Sequence, residues 1–291
     1  MKLLVISGSR ADYGLIEWPL KLLEADPYFE VLKLSVWGDD TPEAMRRTEQ
    51  FLPSVDMVLV LGDRYEILGA VLAAHLARVP VAHIGGGDVT EGSYDDAMRD
   101  CISRMASVHF VTSTSAMARL THMGLRNVHL VGNPGIDYIR NAPWKAERPI
   151  AEPYVVVSYQ AETIDGTNEI AALIESLPAC HQVFIMPNAD KGSAAIRERI
   201  IAHQCARRLE AENCVPCPSV TVHEFLPHDQ FLNLIFHCEE FIGNSSAMLY
   251  EAPELGVKTR MIGKRQRGRT IPWGDGHAAE RIVKILKYTA L

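Results

Sequence analysis

The run FIGNSSAMLYEAPELGV at 241–257 carries the residue types, in the order, of an anion site. A hydrophobic strand ending in Phe241 and Ile242 breaks at Gly243 into Asn244-Ser245-Ser246, and a helix predicted over 246–255 carries Glu251. Strand, small polar turn and helix N-terminus bring unpaired backbone N–H groups and two hydroxyls to one point, where a helix dipole favours phosphate. Glu251, roughly one and a half turns into that helix, is placed to take ribose hydroxyls. An ordinary serine N-cap is the plainer reading of Asn-Ser-Ser taken alone.

Four other loops follow strand-like runs and carry charge. Ser7-Gly8-Ser9-Arg10-Ala11-Asp12-Tyr13-Gly14 sets an arginine in a Gly/Ser turn, and Arg10 reads as a phosphate clamp or a surface charge. It is not a GxGxxG fingerprint, so a dinucleotide site is not indicated. Gly62-Asp63-Arg64-Tyr65-Glu66 puts a carboxylate beside a guanidinium at the end of DMVLVL, either an ion pair or catalytic machinery. His83-Ile84-Gly85-Gly86-Gly87-Asp88 combines close backbone approach with an acid, and Asp95 or Asp96 caps the helix that follows. Gly263-Lys264-Arg265-Gln266-Arg267-Gly268-Arg269 reads as a solvated charge run or a diphosphate clamp beside the serine turn, through Arg265 and Arg269.

The elements that must position these loops alternate. Strands are predicted at 3–7, 31–36, 56–61, 80–84, 107–112 and 128–131, and helices at 14–25, 42–51, 65–77, 93–105 and 114–123. After the proline- and charge-rich linker 141–153, strands fit 154–159, 182–186, 220–225, 240–242 and 259–262. Helices there fit 167–177, 192–211, 228–236 and 246–255. Val/Ile/Leu runs without polar alternation indicate parallel strands buried on both faces. The expected division is a first Rossmann-like lobe at 1–142, a second at 143–276 and a terminal helix at 277–291 that packs back near the hinge. In such sheets ligands sit at the carboxyl ends of strands, so the cleft between lobes is the expected active site.

A chain of 291 residues suits two domains, and 47% hydrophobic with 22% charged residues suits a globular enzyme. The net charge of −7 argues against a nucleic-acid partner. No apolar run approaches the ~20 residues of a membrane span, and the first residues read as a strand, not a signal peptide. The six cysteines are scattered; only Cys214 and Cys217 have metal or redox spacing, and reduced cytoplasmic thiols are the better reading. Neither a cofactor nor a metal is expected.

Taken together, the motifs resemble the UDP-N-acetylglucosamine 2-epimerases, in particular the hydrolysing branch of sialic and legionaminic acid synthesis. The matching pieces are GSRADYG at 8–14, LGDRYEIL at 61–68, HIGGGDVTEGSYDD at 83–96, PNADKGS at 187–193, FLPHDQFLNLI at 225–235, GNSSAMLYEAPELGV at 243–257 and IGKRQRGR at 262–269. The resemblance implies a GT-B fold with a UDP-sugar as partner. It puts the diphosphate at Ser245 and Ser246 beside Gly243, the ribose at Glu251, and Arg10, Arg64, Gln160, Arg265 and Arg269 around the nucleotide sugar. Asp63 and Asp95 become the acid/base carboxylates, with Asp88 as helper where relatives commonly have Glu. The implied reaction eliminates UDP across C1–C2 to a glycal, and water then releases an N-acetylmannosamine-type sugar. A homodimer or homotetramer is the assembly entertained.

The chain departs from the pattern at three places. Relatives usually have Glu or His at Gly85, and a His-Pro pair where this chain reads Tyr159-Gln160-Ala161. Gln160 can donate a hydrogen bond to phosphate but cannot carry a proton at neutral pH. Region 36–56 is short. These departures keep a GT-B glycosyltransferase in view as the alternative function, and a non-catalytic nucleotide-sugar-binding protein as a further one.

Overall fold

The computed structural model describes residues 1–289 except Thr163, Asp165, Thr167, Ala189 and residues 214–216; the side chains of Arg10 and Ala11 also lie outside the described residues. The chain forms two compact units. The first comprises Met1–Thr90, Tyr94–Ala142 and Arg269–Leu291, and the second Glu91–Ser93 and Pro143–Gly268. The sequence division carried the second lobe to 276, whereas residues 269–276 belong with the first. Thr270 and Trp273 donate their backbone N–H groups to Val89 and Thr112, which holds this segment there.

In the first unit the strands are β1 (Lys2–Ser7), β2 (Glu30–Ser35), β3 (Met57–Leu61), β4 (Val81–Ile84), β5 (Val108–Val111) and β6 (Val128–Leu130). The helices are α1 (Arg10–Ala25), α2 (Thr41–Glu49), α3 (Tyr65–Leu76), α4 (Asp96–Met105), α5 (Thr114–His122) and α6 (Pro134–Asn141). All strand pairs are parallel, in the order β2-β1-β3-β4-β5-β6. The unbroken apolar runs have the expected cause. Leu3, Val5 and Leu59 pack on one face with Ile16, Leu20 and Leu23 of α1, while Leu4, Ile6, Val58 and Val60 face Ile67, Ala70 and Val71 of α3. The C-terminal helix Ala278–Tyr288 adds Ile282 and Leu286 to the first of these cores, and Asp137 of α6 accepts the Ala279 N–H at 2.6 Å. Helix α6 was not expected from the sequence. Its signal is Asn133-Pro134: the Asn133 side chain accepts from Gly135 N, and proline occupies the first turn.

The second unit has β7 (Tyr154–Ser158), β8 (His181–Ile185), β9 (Val220–His223), β10 (Glu240–Gly243) and β11 (Thr259–Met261), with α7 (Ile170–Glu175), α8 (Ser193–Glu212), α9 (His228–Phe236) and α10 (Glu251–Glu254). Its parallel order is β11-β10-β7-β8-β9. The order reverses direction between β1 and β3 in the first unit and between β7 and β10 in the second. Loops leaving the carboxyl ends there diverge and open a crevice in each sheet.

The helix expected over 246–255 is broken. A 3₁₀ turn covers Ser246–Met248, and α10 begins only at Glu251. Pro253 is the cause: it has no N–H for the Leu249 carbonyl, and its ring clashes with that carbonyl in a continuous helix. Glu251 is therefore the first residue of a short helix, not a residue deep inside a long one. Cys214 of the cysteine pair lies outside the described residues; Cys217 and the other described cysteines are free thiols.

Candidate active site

In the first unit, three loops leave the carboxyl ends of β1, β3 and β4. Asp63 and Arg64 are consecutive at the end of β3, yet they do not pair with each other. The Arg64 guanidinium holds buried Glu66 through Nε at 3.1 Å and Nη2 at 3.0 Å. Asp63 is held by Arg99 of α4, whose side chain is 2% exposed. Arg99 also grips Asp96, donates to the Asp88 carbonyl oxygen at 2.6 Å, and reaches Thr90 Oγ1. Asp96 in turn accepts the Thr90 N–H through both oxygens at 3.0 Å. Of the two candidate caps, Asp95 occupies the N-cap position of α4 without a side-chain cap bond, and Asp96 is the residue built into the arginine cluster.

Asp88 accepts the Thr112 hydroxyl at 2.7 Å. Burial pushes its carboxyl up to about 6, against the Thr112 hydrogen bond and the nearby Arg269 charge, which pull the other way. Asp12, in the first turn of α1, is also pushed up to about 6 by burial; Arg64 and the Ser9 hydrogen bond oppose the rise. Ser9 Oγ donates to Asp12 at 2.8 Å and accepts the Asp12 N–H at 3.2 Å. Two carboxyls that change protonation near neutrality thus stand in one unit with Asp63. Arg269 donates to Thr90 Oγ1 at 3.2 Å. The side chain of Arg10 lies outside the described residues.

The glycine run has two uses. Gly87 has φ +79, and a Cβ there would overlap the Ala116 carbonyl of α5, so β4 can turn tightly against that helix only without a side chain. At Gly85 a Cβ would meet only Asp88 Oδ2, at 3.9 Å. Gly85 leaves open space beside Asp88.

In the second unit the turn after β10 is clasped to the end of β7. Gly243 has φ +139, and a Cβ there would run into the Ser158 carbonyl oxygen. Asn244, fully buried, accepts the Gln160 N–H at 2.6 Å and donates through Nδ2 to the Gln160 carbonyl at 2.9 Å. Its own N–H donates to Ser158 O at 3.1 Å. Ser245 and Ser246 follow at the crevice, both partly exposed, and Ser245 Oγ accepts the Ala247 N–H. With helices this short, the dipole contributes little. Glu251 is buried at 8% exposure.

Gln160 is engaged within its own unit. Its Oε1 accepts the Asn188 N–H at 2.9 Å and its Nε2 is 3.5 Å from Ser158 Oγ, so the side chain ties β7 to the loop after β8. The basic loop joins the same cluster. Gln266 Nε2 donates to Asn244 O at 2.8 Å, Lys264 N donates to Glu162 at 2.8 Å, and Arg265 Nε donates to Ala161 O at 3.2 Å with its guanidinium 3.6 Å from Asp190. Within the run 263–269, Arg265 belongs to the second unit and Arg269 to the first. Sequence reasoning missed Asp12, Glu66, Arg99 and Asn244 as site residues. Asp12, Glu66 and Asn244 lay inside motifs already quoted; Arg99 carried no local signal.

The family described as UDP-N-acetylglucosamine 2-epimerase matches residues 38–271. The chain belongs to that family. Among its relatives, Polysialic acid biosynthesis protein P7 of Escherichia coli is 27% identical over 324 residues, covering 92% of this chain and 80% of the relative. A UDP-N,N'-diacetylbacillosamine 2-epimerase (hydrolyzing) of Legionella pneumophila is 27% identical over 327 residues, covering 92% and 82%. Alignments of 324 and 327 positions exceed the 291 residues here, so this family member is a shortened one. Hydrolysing enzymes stand among its relatives, which favours the epimerase reading over the glycosyltransferase and the non-catalytic binding protein.

Solved structures share its fold. An S. aureus MnaA-UDP co-structure is 18% identical with a TM-score of 0.75, covering 99% of this chain and 96% of that one. The UDP-GlcNAc 2-epimerase from Neisseria meningitidis bound to UDP-GlcNAc is 16% identical with a TM-score of 0.75, covering 99% and 100%. The family member thus has two Rossmann-like parallel-sheet units of the GT-B class. Among the described residues no helix is long and apolar enough to cross a membrane.

Proposed function

We propose that this chain is a hydrolysing 2-epimerase that converts a UDP-N-acetylhexosamine and water into UDP and a 2-epimeric hexosamine. The observation that carries this reading is Asp88, a half-buried residue whose carboxyl desolvation pushes up to about 6, in the family described as UDP-N-acetylglucosamine 2-epimerase. A group that is ionised but still basic near neutrality can take the C2 proton from one face, and C2 inversion demands that a second acid deliver a proton to the other. The bond from C1 to the diphosphate breaks as the C2–H bond breaks, giving UDP and a glycal. Water then adds hydroxyl to C1 and a proton to the opposite face of C2.

Asp63 and Asp95 are the further acid/base carboxylates in this proposal, with Arg99 holding Asp63 in place. Ser245, Ser246 and Gly243 receive the diphosphate, Arg265 adds charge there, and Glu251 takes the ribose. Arg10, Arg64 and Arg269 complete the anion-binding set; Gln160 acts by shaping the loop at Asn188. The substrate class extends to 4-acetamido sugars, because a hydrolysing diacetylbacillosamine enzyme is 27% identical. Free thiols such as Cys101 and Cys205 fit the cytoplasm, and a two- or four-copy assembly is checked by light scattering.

The test is turnover of UDP-GlcNAc and of UDP-N,N'-diacetylbacillosamine in D₂O, followed by NMR. Free UDP with solvent deuterium at C2 of the released sugar is expected. Release of UDP with an unlabelled C2 would overturn epimerisation and return the transferase or simple hydrolysis, neither of which breaks C2–H.

A further inference from the structure

The Gly62 peptide is pinned from both sides. Gly62 follows β3 with φ +93, and its N–H donates to Ile84 O of β4 at 3.1 Å. Its carbonyl oxygen lies 2.8 Å from Nε2 of His83, also on β4. His83 is fully buried, and its other nitrogen, Nδ1, is 3.1 Å from Ser103 Oγ on α4. The partners decide where the protons are. A carbonyl only accepts, so Nε2 carries the hydrogen; Nδ1 then accepts, and the Ser103 hydroxyl is its donor. Burial keeps the ring neutral, its pKa pushed down to about 4.

The next residue is Asp63. Its carboxylate is held by Arg99, which lies about one turn before Ser103 on the same helix. Helix α4 therefore reaches Asp63 twice, through the side chain by Arg99 and through the backbone by Ser103, His83 and Gly62. Gly86 leaves room for the second route. A Cβ there would stand 2.8 Å from Ser103 Oγ and 3.1 Å from His83 Nδ1, displacing one or the other.

We propose that Ser103 and His83 are positioning residues for the reaction: by fixing the Gly62 peptide they set where the Asp63 carboxylate stands. This rests on the reading of Asp63 as an acid/base group. A histidine that merely fills the core would, when altered, cost stability and leave turnover per folded molecule unchanged.

Ser103→Ala removes the hydrogen bond that holds the His83 ring from its Nδ1 side, and Ser103→Thr restores a hydroxyl. Displacing a catalytic group by about 1 Å costs on the order of 10²-fold, so Ser103→Ala is expected to lose roughly 10- to 100-fold in kcat with KM and calorimetric UDP affinity within twofold. Ser103→Thr recovers most of the loss. A Ser103→Ala protein whose kcat stays within twofold of wild type overturns the proposal. ¹⁵N NMR of His83 in the unmodified protein tests the relay independently of activity and of variant folding. The Nε2–H tautomer from pH 5 to 8 supports it, and the Nδ1–H tautomer overturns it. Wild-type protein that turns over no UDP-hexosamine but shows the Nε2–H tautomer refutes the proposed function while leaving the pinned Gly62 peptide standing.

Discussion

Gly243→Ala is the most direct test of how the second unit builds the turn proposed to receive the diphosphate. The new methyl group meets the Ser158 carbonyl oxygen, and φ is +139. The backbone conformation alone costs about 1–3 kcal/mol for a residue with a side chain. Relieving the overlap means moving β10 away from β7 and toward β11, which stretches the Asn244 N to Ser158 O bond of 3.1 Å and crowds the Ile262 N to Gly243 O bond of 2.7 Å. Overpacking of this kind costs about 1–3 kcal/mol, and each weakened hydrogen bond about 1 kcal/mol. The total is roughly 3–7 kcal/mol, a large share of the 5–15 kcal/mol typical of folded proteins. Gly38→Ala serves as control, since its φ is +78 but no atom lies within 4 Å of the added methyl; it should show only the conformational part. Hydrogen exchange of peptides spanning β7 and β10 reads the local loss, calorimetry reads UDP affinity, and urea midpoints read stability. Accelerated exchange confined to the second unit's central strands, with UDP binding lost, is the expected result. A Gly243→Ala protein no less stable than Gly38→Ala, with wild-type exchange at β10, would refute the argument.

Three other outcomes follow from the same geometry. If Asp88 works as a base with its carboxyl at about 6, kcat/KM should be flat above that pH and fall about tenfold per unit below it, and Asp88→Asn should lose about 10²–10⁴-fold; a wild-type profile with no break near 6 removes Asp88 from the proton chemistry. His109 is buried with Nδ1 lacking a partner, and burial pushes it from 6.5 to about 4. Its unfolded form binds a proton first as pH falls, so it withdraws about 3 kcal/mol of stability between 6.5 and 4. Asp12 and Asp88, with folded pKa values raised to about 6, stabilise on the same descent. The difference between His109→Leu and wild type in urea midpoints at pH 7 and 5 isolates the histidine, and the variant should be the more acid-resistant. Ser246→Asp places a carboxylate in the proposed diphosphate site and should abolish UDP binding by calorimetry without lowering the melting temperature; unchanged affinity would move the site elsewhere.

Much of the architecture was legible in the chain because burial writes itself into composition. Strands covered on both faces need apolar residues at every position, so MVLVL of β3 and YVVVS of β7 stand out unaided. Glycine and small polar clusters mark where such strands end, and those ends are where crevices form. Thus the loops bearing Asp63, Asp88, Gln160 and Ser245 could be named from sequence. The broken helix at 246–255 was legible too, in Pro253, once the missing N–H is weighed against the apolar pattern.

What the residues do to one another was decided only by the tertiary structure. Asp63 and Arg64 are neighbours in the chain, but successive side chains leaving an extended segment point to opposite sides. Each therefore found a partner elsewhere, Arg99 for Asp63 and Glu66 for Arg64. Arg99 sits 36 positions from Asp63, and no local pattern announces that its helix turns it inward. Asn244 reads as a turn former, yet its side chain supplies the backbone-like bonds that clasp β10 to Gln160. The protonation of Asp12, Asp88, His83 and His109 was likewise beyond the sequence. Residue type sets only the starting pKa, and the shift comes from desolvation and from charges that the fold assembles from distant segments.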